Sequence, residues 1–222
     1  MREDGAAVRW VGAQRDVLAG DLSGKIAIDA LRDLPHVYGL GPLEGVRGEV
    51  SIFDGKPSVS RVVDGAIAVD GSFAHRACFL VYASVEEWIE VPAPGPISGF
   101  DEVEAAVLGA ARHRGIDVGR PLPFLIDGRA EHLTLHILDK RDGLPHTPER
   151  HERAKAHFSF AGEPVRVLGF FSDGHRGVFT PKDANLHMHV KTEDGRASGH
   201  LDRIQLAPGA SFWLPRERGG KD

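Results

Sequence analysis

Asp-Gly pairs that stand between strand-like stretches limit the topologies open to this chain more than any other feature. Asp54-Gly55, Asp64-Gly65, Asp127-Gly128 and Asp194-Gly195 all sit this way. Such a pair favours tight turns whose central residues take positive φ, so each marks a reversal between antiparallel strands. Around the first two, "GEVSIFDGKPSVSRVVDGAIAVDG" alternates Val50, Ile52, Val59 and Val63 with polar residues, and "RACFLVYAS" continues the meander. "LPFLIDGRAEHLTLHIL" reads as two strands around Asp127-Gly128. From Gly162 onward, "PVRVLGFF", "NLHMHVKT", "GHLDRIQL" and "SFWLP" are strand patterns again.

Helices are few. Asp21 or Ser23 can cap one in "GKIAIDALRDL", which Pro35 stops. After the Pro/Gly-rich connection "VPAPGPISG", Ser98 can cap "FDEVEAAVLGAARHRG", which has acids in its first turn, bases in its last and Gly115 just beyond. Thr147-Pro148 opens a short helix expected to reach about His157. The fold class expected is α/β, with mixed and antiparallel β-sheets in two packed parts and a few short helices. Residues 1–16 are expected to be weakly ordered, 17–120 to form an N-terminal sheet with helices, 121–216 a C-terminal sheet, and 217–222 a tail.

Composition removes several function classes. The net charge is -5 and the basic residues are scattered, so neither nucleic acid nor an anionic membrane has an electrostatic footprint here. The lone cysteine, Cys78, lies in an apolar run, which excludes an intrachain disulfide and a cysteine-based zinc site. The N-terminus has no apolar signal core and no apolar run approaches a membrane span, so a soluble cytoplasmic protein is expected.

The segment "NLHMHVKTEDGRASGHLDRIQL" carries three of the chain's 12 histidines. Side chains two apart on a strand share a face, so His187 and His189 point the same way. A type I′ turn at Asp194-Gly195 pairs position i with 389 − i, since 194 + 195 = 389, and sets His189 opposite His200. Their Cβ atoms then lie roughly 5 Å apart. Three converging imidazoles with a fourth position open are the ligand set of a catalytic zinc or a similar divalent ion. A competing pattern is "HMHVKTE", which resembles the first metal motif of cupins with Glu193 as a ligand. Against it, no histidine follows His200 and Pro181 stands where that motif has a glycine.

The hairpin also resembles the "HLHF…GGHVLDF" region of alpha-acetolactate decarboxylases, with Ser198 in place of the first glycine of "GGH". "LAGDLSGKIAIDALRDLPHVYGLGPLEGVRGEVSIFDGKPS" is similar to that family's N-terminal signature, "GRPLPFLIDGRAEHLTLHIL" to its "FYAIRIDG" strand pair, and "VRVLGFFSDGHRGVFTPKD" to its "VGFYSP" segment. Together these span roughly residues 17–214 in order. The resemblance implies an acetolactate decarboxylase-like fold, a homodimer, zinc held by His187, His189 and His200, and conversion of 2-acetolactate to acetoin and carbon dioxide. It places the family's active-site glutamate at Glu49 and sets His136 where the family has an arginine. Arg129, Arg176 and Arg203 are candidates to replace that cation. The family's C-terminal glutamate has no motif match, with Glu217 and Asp222 the acids of the tail.

That chemistry needs a Lewis acid to hold the electrons left by the departing carboxylate, and a group to return a proton. Glu49 is a candidate for proton handling or for orienting a metal-bound water. His136 is either a smaller donor in the site or an ordinary histidine on a polar strand face shared with His132. Three functions follow: a zinc-dependent carboxy-lyase acting on a small keto acid, a metalloprotein of the same fold that binds a small ligand without turnover, and a cupin-like metal enzyme.

Overall fold

The computed structural model describes residues 6–93 and 95–216. One sheet is built from β1 (Arg9–Val11), β3 (Val37–Pro42), β4 (Glu49–Phe53), β5 (Lys56–Val63), β6 (Ala66–Asp70) and β8 (Leu80–Ser84). Its order is β1-β8-β3-β4-β5-β6. Asp54 and Gly55 take φ of 50° and 72°, and Asp64 and Gly65 50° and 78°. Both pairs therefore form tight turns with two positive φ values, and the expected meander β4–β5–β6 results. A two-stranded ribbon, β2 (Ile26–Ala27) with β7 (Arg76–Ala77), lies beside it.

The second sheet contains β9 (Trp88–Pro92), β10 (Leu122–Leu138), β11 (Lys155–Phe160), β12 (Glu163–Phe171), β13 (Leu186–Thr192), β14 (Ser198–Leu206) and β15 (Ser211–Pro215). The path β12-β13-β14-β10-β15-β9 is supplemented by β10–β12 and β10–β11 pairings. Every strand pair among the described residues is antiparallel. The first sheet draws its strands from residues 9–84 and the second from residues 88–215, with β9 pairing to β15.

Three α-helices complete the fold among the described residues: α1 (Gln14–Leu18), α2 (Phe100–His113) and α3 (Pro148–Arg153). Thr147 caps α3 by accepting from the Arg150 N–H, as its sequence suggests, but the helix ends at Arg153 because Lys155 begins β11. For α2 the N-cap is Gly99 rather than Ser98, with no side-chain cap. Its buried face of Val103, Ala106, Val107 and Ala111 packs with Val91, Phe212 and Leu214 of the second sheet.

Three other expectations give way. "GKIAIDALRDL" is not a helix: Lys25 and Ile28 donate their N–H groups to Ala77 and His75, leaving a 3-10 turn over Ile28–Leu31. The stretch 1–16 includes β1 and the start of α1, although residues 1–5 lie outside the described set. Asp127-Gly128 makes no turn and instead lies inside the 17-residue β10. There Asp127 receives two bonds from Arg166 across β12, at 2.6 and 2.7 Å. Its neighbour Gly128 packs so near Ala210 that a Cβ would meet that side chain at 3.2 Å. Ladder bonds to β12 and β15 on both sides outweigh the local turn preference.

The sheets pack face to face. Leu40, Val46, Phe79 and Val81 of the first half meet Leu168, Phe170 and Phe179 of the second. Each such side chain, taken from water, contributes roughly 1.5–3 kcal/mol. Strand β4 is buried along its whole length and runs against the β13–β14 hairpin, which is where the histidines lie.

Candidate metal centre

Hairpin register sets the centre. Strands β13 and β14 pair His189 with His200, Val190 with Gly199 and Lys191 with Ser198, the register expected from the sequence. The turn itself differs. Gly195 is left-handed (φ 72°) and Asp194 is not, so no type I′ turn forms. Instead Gly195 N–H donates to Thr192 O and Thr192 N–H to Ala197 O, giving a four-residue loop, 193–196. The Asp194 carboxylate is drawn in by Thr192 Oγ1 at 2.7 Å and Arg196 N at 3.1 Å. Both loops are symmetric about the same midpoint, which is why the register survives.

The three imidazoles converge. Ring centroids lie 5.3 Å apart for His187 and His189, 4.9 Å for His187 and His200, and 5.5 Å for His189 and His200. One ring nitrogen from each falls within 4.8 Å of the others. His187 Nδ1–H donates to the Phe179 carbonyl at 2.7 Å, which leaves Nε2 with its lone pair, 3.2 Å from His200 Nδ1. His189 Nδ1 is 3.0 Å from Ser51 Oγ, and Ser51 in turn accepts from Ser198 Oγ at 3.1 Å. Ser198, the departure from the family's "GGH", thus belongs to a hydroxyl chain that orients His189.

Burial makes these rings ligands rather than cations. It lowers the His187 pKa to about 4 and pushes His189 and His200 well below the ordinary value. Neutral imidazole is the metal-binding form. His189 Nε2 is buried without any hydrogen-bond partner, a costly state that a cation would relieve. The residues present therefore fit a divalent ion.

Glu49 lies two residues before Ser51 on β4, so both face the hairpin. It is 2% exposed, and Oε2 stands 3.7 Å from His189 Nε2. Burial raises its pKa to about 8, against a smaller lowering by a backbone hydrogen bond at Leu138.

His136 is not on a polar strand face with His132. It is 3% exposed, whereas His132 is exposed. Between Thr134 and Leu135 the register with β14 shifts, pairing Thr134 with Arg203 and Leu135 with Leu201, so Asp202 is a bulged extra residue. Its carboxylate accepts from His136 Nδ1–H at 2.7 Å, and its other oxygen faces His157 Nε2 at 3.6 Å. The His136 ring lies 4.5 Å from that of His200. Gly199 allows this approach, since a Cβ there would sit 2.7 Å from the His136 carbonyl oxygen. Burial lowers the His136 pKa, an effect Asp202 partly offsets.

A cavity of about 260 Å³ opens above the centre. Glu49, His136, His187 and His200 line it, with His151 and Lys155 at its side. No arginine is among its described lining residues. Arg129 bonds the Gly162 carbonyl, Arg176 bonds Asn185 and Arg203 is exposed. Glu193 sits exposed in the hairpin loop, apart from the three histidines, which leaves the cupin-type ligand set without its carboxylate. Glu217 and Asp222 lie outside the described residues. A larger groove of about 760 Å³ interleaves Arg47, Arg61, Arg76 and Arg141 with Glu44 and Asp139, and contains none of the centre's groups.

Ser51, Asp202, His151 and Lys155 were not singled out by the sequence. Only Asp202 carried a signal, its two-residue spacing from His200.

No protein-family model matches the sequence, and no curated protein matches it. Solved structures do. An acetolactate decarboxylase from Bacillus subtilis subspecies spizizenii and the alpha-acetolactate decarboxylase of Bacillus subtilis strain 168 each superpose with a TM-score of 0.75 at 15% identity. So does a Staphylococcus aureus protein of unknown function described as similar to alpha-acetolactate decarboxylase. Each match covers 96% of this chain and 86% of the other. The likeness is one of architecture, and this chain has the acetolactate decarboxylase-like fold.

Proposed function

We propose that the protein is a zinc-dependent carboxy-lyase acting on 2-acetolactate or a related 2-hydroxy-3-keto acid. The observation that carries this reading is the convergence of His187, His189 and His200, with the His189 Nε2 buried and without a hydrogen-bond partner, beside a small cavity lined by His187, His200 and the Glu49 carboxyl. His187, His189 and His200 would hold the ion; zinc, or another divalent metal there, supplies Lewis acidity toward a ketone oxygen.

The remaining chemistry belongs to the chain's own residues. When the bond to the carboxylate breaks, carbon dioxide leaves and its electron pair stays on the former α-carbon, which must then take a proton. Glu49 Oε2 is the candidate to hold and return that proton, because the buried carboxyl lines the cavity and stands 3.7 Å from His189 Nε2. His136, with Nδ1–H committed to Asp202, offers Nε2 as an acceptor for a substrate hydroxyl. Cavity size supports a small substrate: about 260 Å³ lies below the roughly 300–1,000 Å³ of pockets for drug-sized ligands. A homodimer and a cytoplasmic location belong to the same proposal. No helix among the described residues is long and apolar enough to cross a membrane.

The cavity's lack of arginine favours one other reading, a protein of this fold that binds a chelating ligand without turnover. Zinc content together with carbon dioxide release from racemic acetolactate separates the two. The lyase reading expects one zinc per chain, acetoin formed in step with carbon dioxide, and loss of both in His187→Ala. Zinc without release would overturn it in favour of the binding protein. Iron with oxygen uptake would point to the cupin-like chemistry instead.

A further inference from the structure

We infer that Lys155 is the anion-binding residue of the cavity, and that its ammonium receives the carboxylate of the small acid whose other end faces the three histidines. This rests on the metal-centre reading above and adds to it the group that selects an acidic ligand.

Position comes first. Lys155 opens β11, paired with Leu138 at the end of β10, and so stands where His136 and Leu138 line the cavity. Its side chain is 19% exposed, so most of the stem is inside; the cavity's other lysine, Lys182, is exposed. Lys155 lines the same cavity as Glu49, His136, His151 and His200.

Elimination comes next. The histidines are already engaged: His136 Nδ1 with Asp202 at 2.7 Å, His187 Nδ1 with the Phe179 carbonyl at 2.7 Å, and His151 Nδ1 with His146 Nε2 at 3.2 Å. Neutral imidazole does not grip a carboxylate as a cation does. Lys155 is therefore the one mostly buried cation among the described lining residues.

Its present partner is replaceable. Lys155 Nζ donates to both oxygens of Glu152, at 2.8 Å each, but Glu152 is 67% exposed. A surface carboxylate loses little by returning to water. An acid entering the cavity can take its place, exchanging one carboxylate for another with no unpaired charge left behind. A neutral molecule offers no such exchange, so the cavity should discriminate by charge.

The test uses zinc-loaded protein and calorimetric titration with two probes. One is 2-hydroxyisobutyrate, an anionic hydroxy acid without the keto group that labilises a carboxylate. The other is imidazole, a neutral metal ligand. Lys155→Met should weaken 2-hydroxyisobutyrate at least tenfold and leave imidazole within twofold, which also shows the variant is folded. Lys155→Arg should keep 2-hydroxyisobutyrate within about threefold. If wild-type protein binds imidazole, and 2-hydroxyisobutyrate binds equally to wild type and Lys155→Met or to neither, the inference alone is overturned. A protein that takes up no zinc overturns the metal reading and this inference with it.

Discussion

Replacing Glu49 by glutamine should change how stability depends on pH, and the structure sets both sign and size. The carboxyl is 2% exposed and, in the metal-free protein, keeps its proton to about pH 8, against an ordinary value of 4.5. An unfolded chain ionises this group near 4.5, so between pH 4.5 and 8 the folded state binds more protons than the unfolded one. Stability must fall as pH rises through that window, by about 1.4 kcal/mol per unit. Glutamine has no proton to lose and removes the slope. Relative to Glu49→Gln, the metal-free wild type should therefore lose roughly 3 kcal/mol between pH 4.5 and 7. Urea unfolding followed by tryptophan fluorescence, in the presence of a chelator and at half-unit pH steps, measures the difference directly. Zinc should flatten it, because a cation beside His189 favours the ionised carboxylate. Parallel wild-type and variant profiles from pH 4.5 to 8 would refute the claim that this buried carboxyl is held protonated.

Two further substitutions test how the centre is supported. Ser51→Ala removes the partner of His189 Nδ1 and the acceptor of Ser198 Oγ. It should weaken zinc about tenfold to a hundredfold in competition with a chelating dye, the range for loss of a group that orients a ligand; unchanged affinity would remove Ser51 from that role. Gly199→Ala places a Cβ 2.7 Å from the His136 carbonyl oxygen and must push β14 away from β10. A loss of about 1–3 kcal/mol is expected in thermal or urea unfolding, and an unaltered midpoint would show that the strands separate freely.

Local signals in the chain were sufficient wherever the energy deciding the structure is local. Asp54-Gly55 and Asp64-Gly65 form the turns their residue types favour, because positive φ costs these residues little and the strands on either side pair directly with each other. The register of the histidine hairpin was legible for a related reason: alternation sets the face, and symmetry about residues 194–195 sets the pairing even though the turn type differs. Hence His187, His189 and His200 could be placed together from sequence. The resemblance singled out Glu49, while its burial and its 3.7 Å approach to His189 came only with the packing of β4 on the hairpin.

Tertiary contacts decided the rest. At Asp127-Gly128 the same dipeptide that turns elsewhere lies straight, held by ladders on both sides and by Arg166. "GKIAIDALRDL" could have been a helix in isolation, but its backbone donors were claimed by a strand some 50 residues away. The bulge that turns Asp202 toward His136, the hydroxyl chain from Ser198 to Ser51, and the seat of Lys155 beside the cavity all depend on segments far apart in the chain. The sequence by itself determined which side chains could share a face of one hairpin, because that follows from the period of a strand and the midpoint of a turn. Which carboxylate is buried, which histidine is paired and which lysine faces the cavity were decided only when two sheets packed, since desolvation and close contact exist only between elements brought together.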